Sequence, residues 1–158
     1  MKTKGKILSV RVESRVDDSP DLSWIGEYSN DPGKNAIDRQ ERGDMQRGEY
    51  RYCNIELSGE DTGNPESVEQ DYQRLEAFNQ GQWWEIGVVA KATVQLRPDG
   101  PIQTLHSGGL WGIESDSEDG YMNEVKQDEL AALADELAAV GFGKAAIKRA
   151  IRNAEDKA

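Results

Sequence analysis

Apolar and polar residues alternate through "KILSVRVESRV", with Leu8, Val10 and Val12 on one side and Ser9, Arg11 and Glu13 on the other. This is the period of a half-buried strand. "EYRYCNIELS" alternates again, placing Arg51, Cys53, Ile55 and Leu57 opposite Tyr50, Tyr52, Asn54 and Glu56. In "WWEIGVVAKATVQLR" seven positions of one parity, from Trp84 and Ile86 to Val94 and Leu96, are apolar, which predicts a central strand. The turn residues Pro98–Gly100 and the resumed pattern of "PIQTLHS" predict a hairpin partner for it. Three stretches follow the helical period instead. "NPESVEQDYQRLEAFNQG" offers Asn64 as cap, Pro65 in the first turn, Gly81 as terminator, and a stripe of Val68, Tyr72, Leu75 and Phe78. "YMNEVKQDELAALADELAAVGFG" sets Met122, Leu130, Leu133, Leu137 and Val140 on one side and Glu124, Asp128 and Asp135 on the other, with Lys126 intruding on the apolar arc. That intrusion predicts an irregular first turn or a start near Asp128. "KAAIKRAIRNAED" carries Ile147, Ala150, Ile151 and Ala154 on one face and Lys144, Lys148 and Arg152 on another.

The segment from Asp17 to Asp44 has Asp, Ser, Pro and Gly at turn density and no sustained period, so it reads as a long loop pinned by Trp24. The expectation is an α+β, two-layer fold: about four mainly antiparallel strands with three helices packed on one face. Residues 1–142 are expected to form one domain, with 143–158 as a C-terminal basic helix.

Charge changes this picture. The net charge is −11 over 158 residues, and its distribution is uneven: −1 for residues 1–57, −13 for 58–142 and +3 for 143–158. Such a field repels nucleic acid and membrane phosphates and draws in basic surfaces. With one cysteine and no long apolar run, the chain is expected to be disulfide-free, cytoplasmic and without a membrane partner.

The chemistry on offer is sparse. His106 is the only histidine and stands beside Ser107 and the Gly108–Gly109 pair. The two could serve as base and nucleophile of a small hydrolase or transferase, or the histidine could simply anchor a loop. Cys53 shares the parity of Ile55 and Leu57, as a buried, inert thiol would. Aligned on Gly120, "ESDSEDG" fails the calcium-loop pattern, since the closing carboxylate falls on Lys126. "GFGKAA" lacks phosphate-loop spacing. No catalytic residue, metal or cofactor is therefore expected. What remains is surface. Trp111 in "GGLWGI" either folds back to plug the sheet or forms an aromatic anchor, and Glu114, Asp116, Glu118, Asp119, Glu124, Asp128 and Asp135 could imitate a run of phosphates to a basic groove.

Three segments, "DDSPDLSWIGEY", "WWEIGVVAKATVQL" and "IQTLHSGGLWGIESDSEDGYMNEVKQDELAALADELAAVGF", together resemble a widespread family of small acidic proteins carried by bacteriophages and other mobile elements. The resemblance covers roughly residues 10–30 and 82–142 and is most specific at "SGGLWGIESDS". It transfers no catalytic residue. It implies a protein that binds and blocks a host nucleic-acid enzyme or immune complex. The partner expected is thus a basic, nucleic-acid-binding host protein, engaged by the seven acids and Trp111 and not through nucleic acid directly. A homodimer joining the acidic middle to Lys144, Lys148 and Arg152 is a further arrangement.

Overall fold

The computed structural model describes residues 4–157. Its elements in chain order are β1 (Lys6–Val16), β2 (Gly26–Ser29), β3 (Ala36–Asp38), α1 (Arg39–Arg42), β4 (Tyr52–Ile55), α2 (Pro65–Asn79), β5 (Glu85–Gln95), β6 (Ile102–His106), β7 (Leu110–Glu114), α3 (Asp119–Ala139), α4 (Lys144–Arg152) and β8 (Glu155–Lys157). The fold is α+β. Among the described residues it has eight strands in two sheets, with α3 and α4 packed on the larger sheet and α2 on the smaller. The chain divides into two compact units, one made of the segments up to Asp18 and from Trp84 onward, the other of Ser19–Trp83.

The first unit is built on β5. Its Ile86, Val88, Ala90, Ala92 and Val94 share one face and are buried, because α3 and α4 cover that face with Val125, Leu130, Leu133, Leu137 and Ile147. β1 and β6 pair antiparallel on either side, β7 joins β5 beyond β6, and β8 lies parallel to β1 at Arg11–Glu13. The predicted hairpin of β5 and β6 is present, with Gln95 opposite Ile102.

Three expectations for this unit change. β1 carries an irregularity between Ile7 and Ser9, so Ile7 packs on the core while Leu8, expected inside, is 48% exposed; one extra residue shifts the parity of everything before it. Lys126 does not disturb α3, since its ammonium leaves the apolar arc to meet Asp156 at 2.6 Å. The tail expected as one basic helix is helical only to Arg152, after which Glu155–Lys157 return as an edge strand.

The second unit replaces the expected long loop with structure. β2, β4 and β3 form a small antiparallel sheet in that order, and α2 packs on it. Asn64 caps α2 by accepting from the Glu66 N–H, as its sequence predicts. Asp38 caps α1 in the same way, accepting from Gln40 and Glu41. The core is Ile25, Cys53, Ile55, Tyr72, Leu75 and Trp83. Trp24, expected to pin this segment, is 55% exposed, and Ile25 at 1% does so instead. Likewise Trp83 is buried and Trp84 is 44% exposed, because β5 starts only at Glu85 and the preceding tryptophan packs edge-on against Phe78.

Candidate protein-docking face

α3 is a 21-residue helix, about 31 Å long at 1.5 Å per residue. Val125, Leu130, Leu133 and Leu137 fix its lower side to the sheet, so the opposite side is held rigidly outward. Glu124, Asp128 and Asp135 are all exposed there, at i, i+4 and i+11. Glu118 and Asp119 open the helix at its positive end, where carboxylates are favoured. Among the described residues none of these five acids forms an ion pair. Several acids of other regions are paired: Glu13 receives Arg11, Arg15 and Lys91, Asp38 receives Arg51, and Glu69 receives Arg42. Those contacts hold Glu13 and Glu69 down to about 2, each chiefly through the hydrogen bond from its arginine, Arg11 for Glu13 and Arg42 for Glu69. Charge on α3 therefore reaches solvent without an ion pair, as it also does among the described residues at the exposed Glu27, Glu60 and Glu66, but on α3 five such acids share one helix and its N-cap.

Glu114 and Asp116, grouped with these acids on sequence, are already partnered within the chain. Trp111 stands apart from the α3 stripe. β5 and β7 are out of step between Ile86–Ile113 and Val88–Leu110, so Trp111 and Gly112 together oppose Gly87. Gly112 has φ of 76°, the left-handed conformation that lets the strand bulge there. The bulge lays the indole over Gly87: a Cβ at that position would stand 2.2 Å from Trp111 Cε3. Gly87 faces away from Ile86 and Val88, so Trp111, 50% exposed, lies on the sheet face opposite the helices. "GGLWGI" thus neither plugs the core with its tryptophan nor joins Trp111 to the acidic helix; only Ile113 enters the core.

The aromatic residue that does share the acidic stripe is Tyr121, 48% exposed and spaced i−3 from Glu124 and i−7 from Asp128. The signal was present in the helical period. A helix start near Asp128 would leave Tyr121 outside the stripe, whereas α3 begins at Asp119.

The pair His106 and Ser107 is not assembled as base and nucleophile. Ser107 is 1% exposed, its hydroxyl donates to Glu129 and accepts from the Ala90 N–H at 2.9 Å, and Glu129 also accepts from the Gly109 N–H. With its single proton committed to Glu129, the hydroxyl fastens the β6–β7 loop to α3 and β5. His106 is exposed, and its Nδ1 contacts the Ser107 carbonyl at 2.9 Å. Cys53 is fully buried, and burial pushes its thiol up to about 12; a thiol so disposed is not a nucleophile at neutral pH. Among the described residues, no three His, Cys, Asp or Glu side chains converge as metal ligands, and no helix is long and apolar enough to cross a membrane. Comparison with protein-family models, with curated proteins and with solved structures finds no match to this chain.

Proposed function

We propose that this chain is a non-enzymatic binding protein that docks the outer face of α3 on a basic, nucleic-acid-binding surface of a host protein, and that it acts there as an inhibitor from a phage or mobile element. One observation carries the reading: Glu118, Asp119, Glu124, Asp128 and Asp135 are exposed on or beside a single core-anchored helix and are not neutralised by the protein's own cations. Carboxylates at i and i+4 stand about 6 Å apart, close to the spacing of neighbouring phosphates, and a stiff helix presents them without an ordering cost. Tyr121 supplies the amphipathic contact that an interface of this kind concentrates near its centre. Trp111 and Glu114, on the other layer of the unit, fall outside this footprint.

The experiment is capture from bacterial lysate on the immobilised chain, beside the triple variant Glu124→Lys, Asp128→Lys, Asp135→Lys. The expected result is a basic protein retained at low salt, released by duplex DNA, lost from the variant, and lost as salt rises to about 0.5 M, where screening shortens to a few ångströms. Retention of the same proteins by the variant and at high salt overturns the reading.

A further inference from the structure

A groove of about 560 Å³ runs along the outer edge of β1, and it shares no residue with the acidic stripe. One wall is the unbroken run Gly5–Val10. Successive strand residues point to opposite faces, so a cavity touched by six in a row must follow the strand's edge and not either of its faces. The other wall is one side of α4, with Ala146, Arg149, Ala150 and Asn153 at i, i+3, i+4 and i+7. β8 occupies this edge only at Arg11–Glu13. On the side away from β5, no strand among the described residues pairs with Lys6–Val10, which leaves a backbone edge open where native proteins ordinarily cover or blunt one.

The lining states what would fit. The alanines of α4 leave space, Leu8 is turned out by the bulge to 48% exposure, and Phe142 closes the floor at 7%. Lys6 and Arg149 stand at the rim, and among the described residues neither is in an ion pair. The one carboxylate of the lining, Glu155, lies 3.4 Å from Lys157. A cationic rim on a chain of net charge −11 is locally complementary to an acid, against the sign of the whole molecule. The same edge already takes one short parallel strand, and five further residues of it span about 17 Å.

We propose that the groove between Lys6–Val10 and α4 binds an extended, carboxylate-bearing segment of a partner protein by strand addition. Main-chain hydrogen bonds to β1 hold the segment, an apolar side chain sits against Leu8, Ala146 and Phe142, and a carboxylate from an acidic side chain or a chain end meets Arg149.

The test is selection from a display library of random short peptides on the full chain, followed by titration of the selected peptides. Selected sequences are expected to combine an apolar residue with an acid or a free C-terminus. Binding should slow amide exchange at Lys6–Val10, fall about tenfold or more in Arg149→Glu, and be lost in Ala146→Trp, which fills the groove. Both substituted residues are exposed, so circular dichroism should show an unchanged fold. The α3 triple charge reversal should leave peptide binding intact, which separates failure here from failure of the docking face. No selected peptide, or peptides that bind both groove variants as well as the parent, overturns the proposal. So does protection of Lys6–Val10 without peptide in step with a doubling of solution mass, since a second copy would then own the edge.

Discussion

The two units solve the same problem, a sheet with one face to cover, by different means. The unit around β5 buries fourteen apolar residues in one cluster, and Glu85, 4% exposed, is its one buried charged side chain among the described residues. The Ser19–Trp83 unit buries six and sets a guanidinium beside them: Arg39, 5% exposed, reaches Glu49 at 2.9 Å, Glu76 at 3.3 Å and the Tyr50 carbonyl at 2.9 Å, and lies 4.9 Å from the Tyr28 ring. Around it, Tyr28 donates to Glu76, Tyr72 donates to Asp44, and Arg42 lies over the Tyr72 ring while binding Glu69. A small apolar core is thus extended by charged and aromatic groups whose hydrogen bonds are nearly complete; Arg39 Nε alone is buried without one among the described residues. The lesson is that apolar burial tolerates changes of solvent that a charge network does not.

The largest expected effect lies in the apolar unit. Leu133 is fully buried between α3 and β5. Leu133→Ala should cost about 4 kcal/mol, from lost transfer energy and the cavity left behind. Urea denaturation monitored by circular dichroism measures it; a loss under about 1 kcal/mol would mean that the core is looser than the burial of its residues implies.

The charged unit should fail first in acid. Contacts with cations or main-chain N–H groups hold Asp38, Glu49 and Glu69 below their ordinary carboxylate range, through Arg51, the Gln46 N–H and Arg42 respectively. A carboxylate depressed in the folded state contributes its full stability above its unfolded value, and loses it as pH falls through the folded one. For Glu69 that window runs from 4.5 down to about 2. Because Glu69 is 43% exposed, solvent screening reduces its share, and a fall of about tenfold in amide protection at Cys53 and Ile55 is expected across the window. Amides of Val88–Val94 should change less, because among the described residues the unit around β5 has one such carboxylate, Glu13, on a sheet whose other face packs into the cluster of fourteen buried apolar residues. Equal loss in both sheets at one pH would show that the contrast between the units has no energetic meaning.

The same contrast decides what was legible in the sequence. β5 is long and its apolar residues keep one parity, and the leucines of α3 keep helical spacing, because a continuous apolar layer imposes its period on the residues that touch it, so both can be read directly. So can the fold class and the α2 cap at Asn64. β2, β3 and α1 are three or four residues each and owe their places to Asp38 capping, the Arg39 network and one buried isoleucine, none of which repeats along the chain. β7 is concealed by its bulge at Gly112, and β8 by its three polar residues, which are placed by backbone pairing to β1 and by Asp156 on Lys126. At the candidate site the outward acids of α3 were readable from period. Their separation from Trp111 was not, because a residue's face on β7 depends on a bulge that alternation cannot show.

The smallest effect tests that last point most sharply. By parity Leu8 and Val10 are equivalent, yet the irregularity between Ile7 and Ser9 places Leu8 at 48% exposure and Val10 at 3%. Val10→Ser should cost about 2–3 kcal/mol, through an underfilled core and a hydroxyl without a partner, whereas Leu8→Ser should stay within about 0.5 kcal/mol, as exposed positions do. Parallel denaturation of the two variants reads the difference directly. Equal costs would place both side chains in the core, remove the bulge, and return Leu8 from the groove of β1 and α4 to the interior of the sheet.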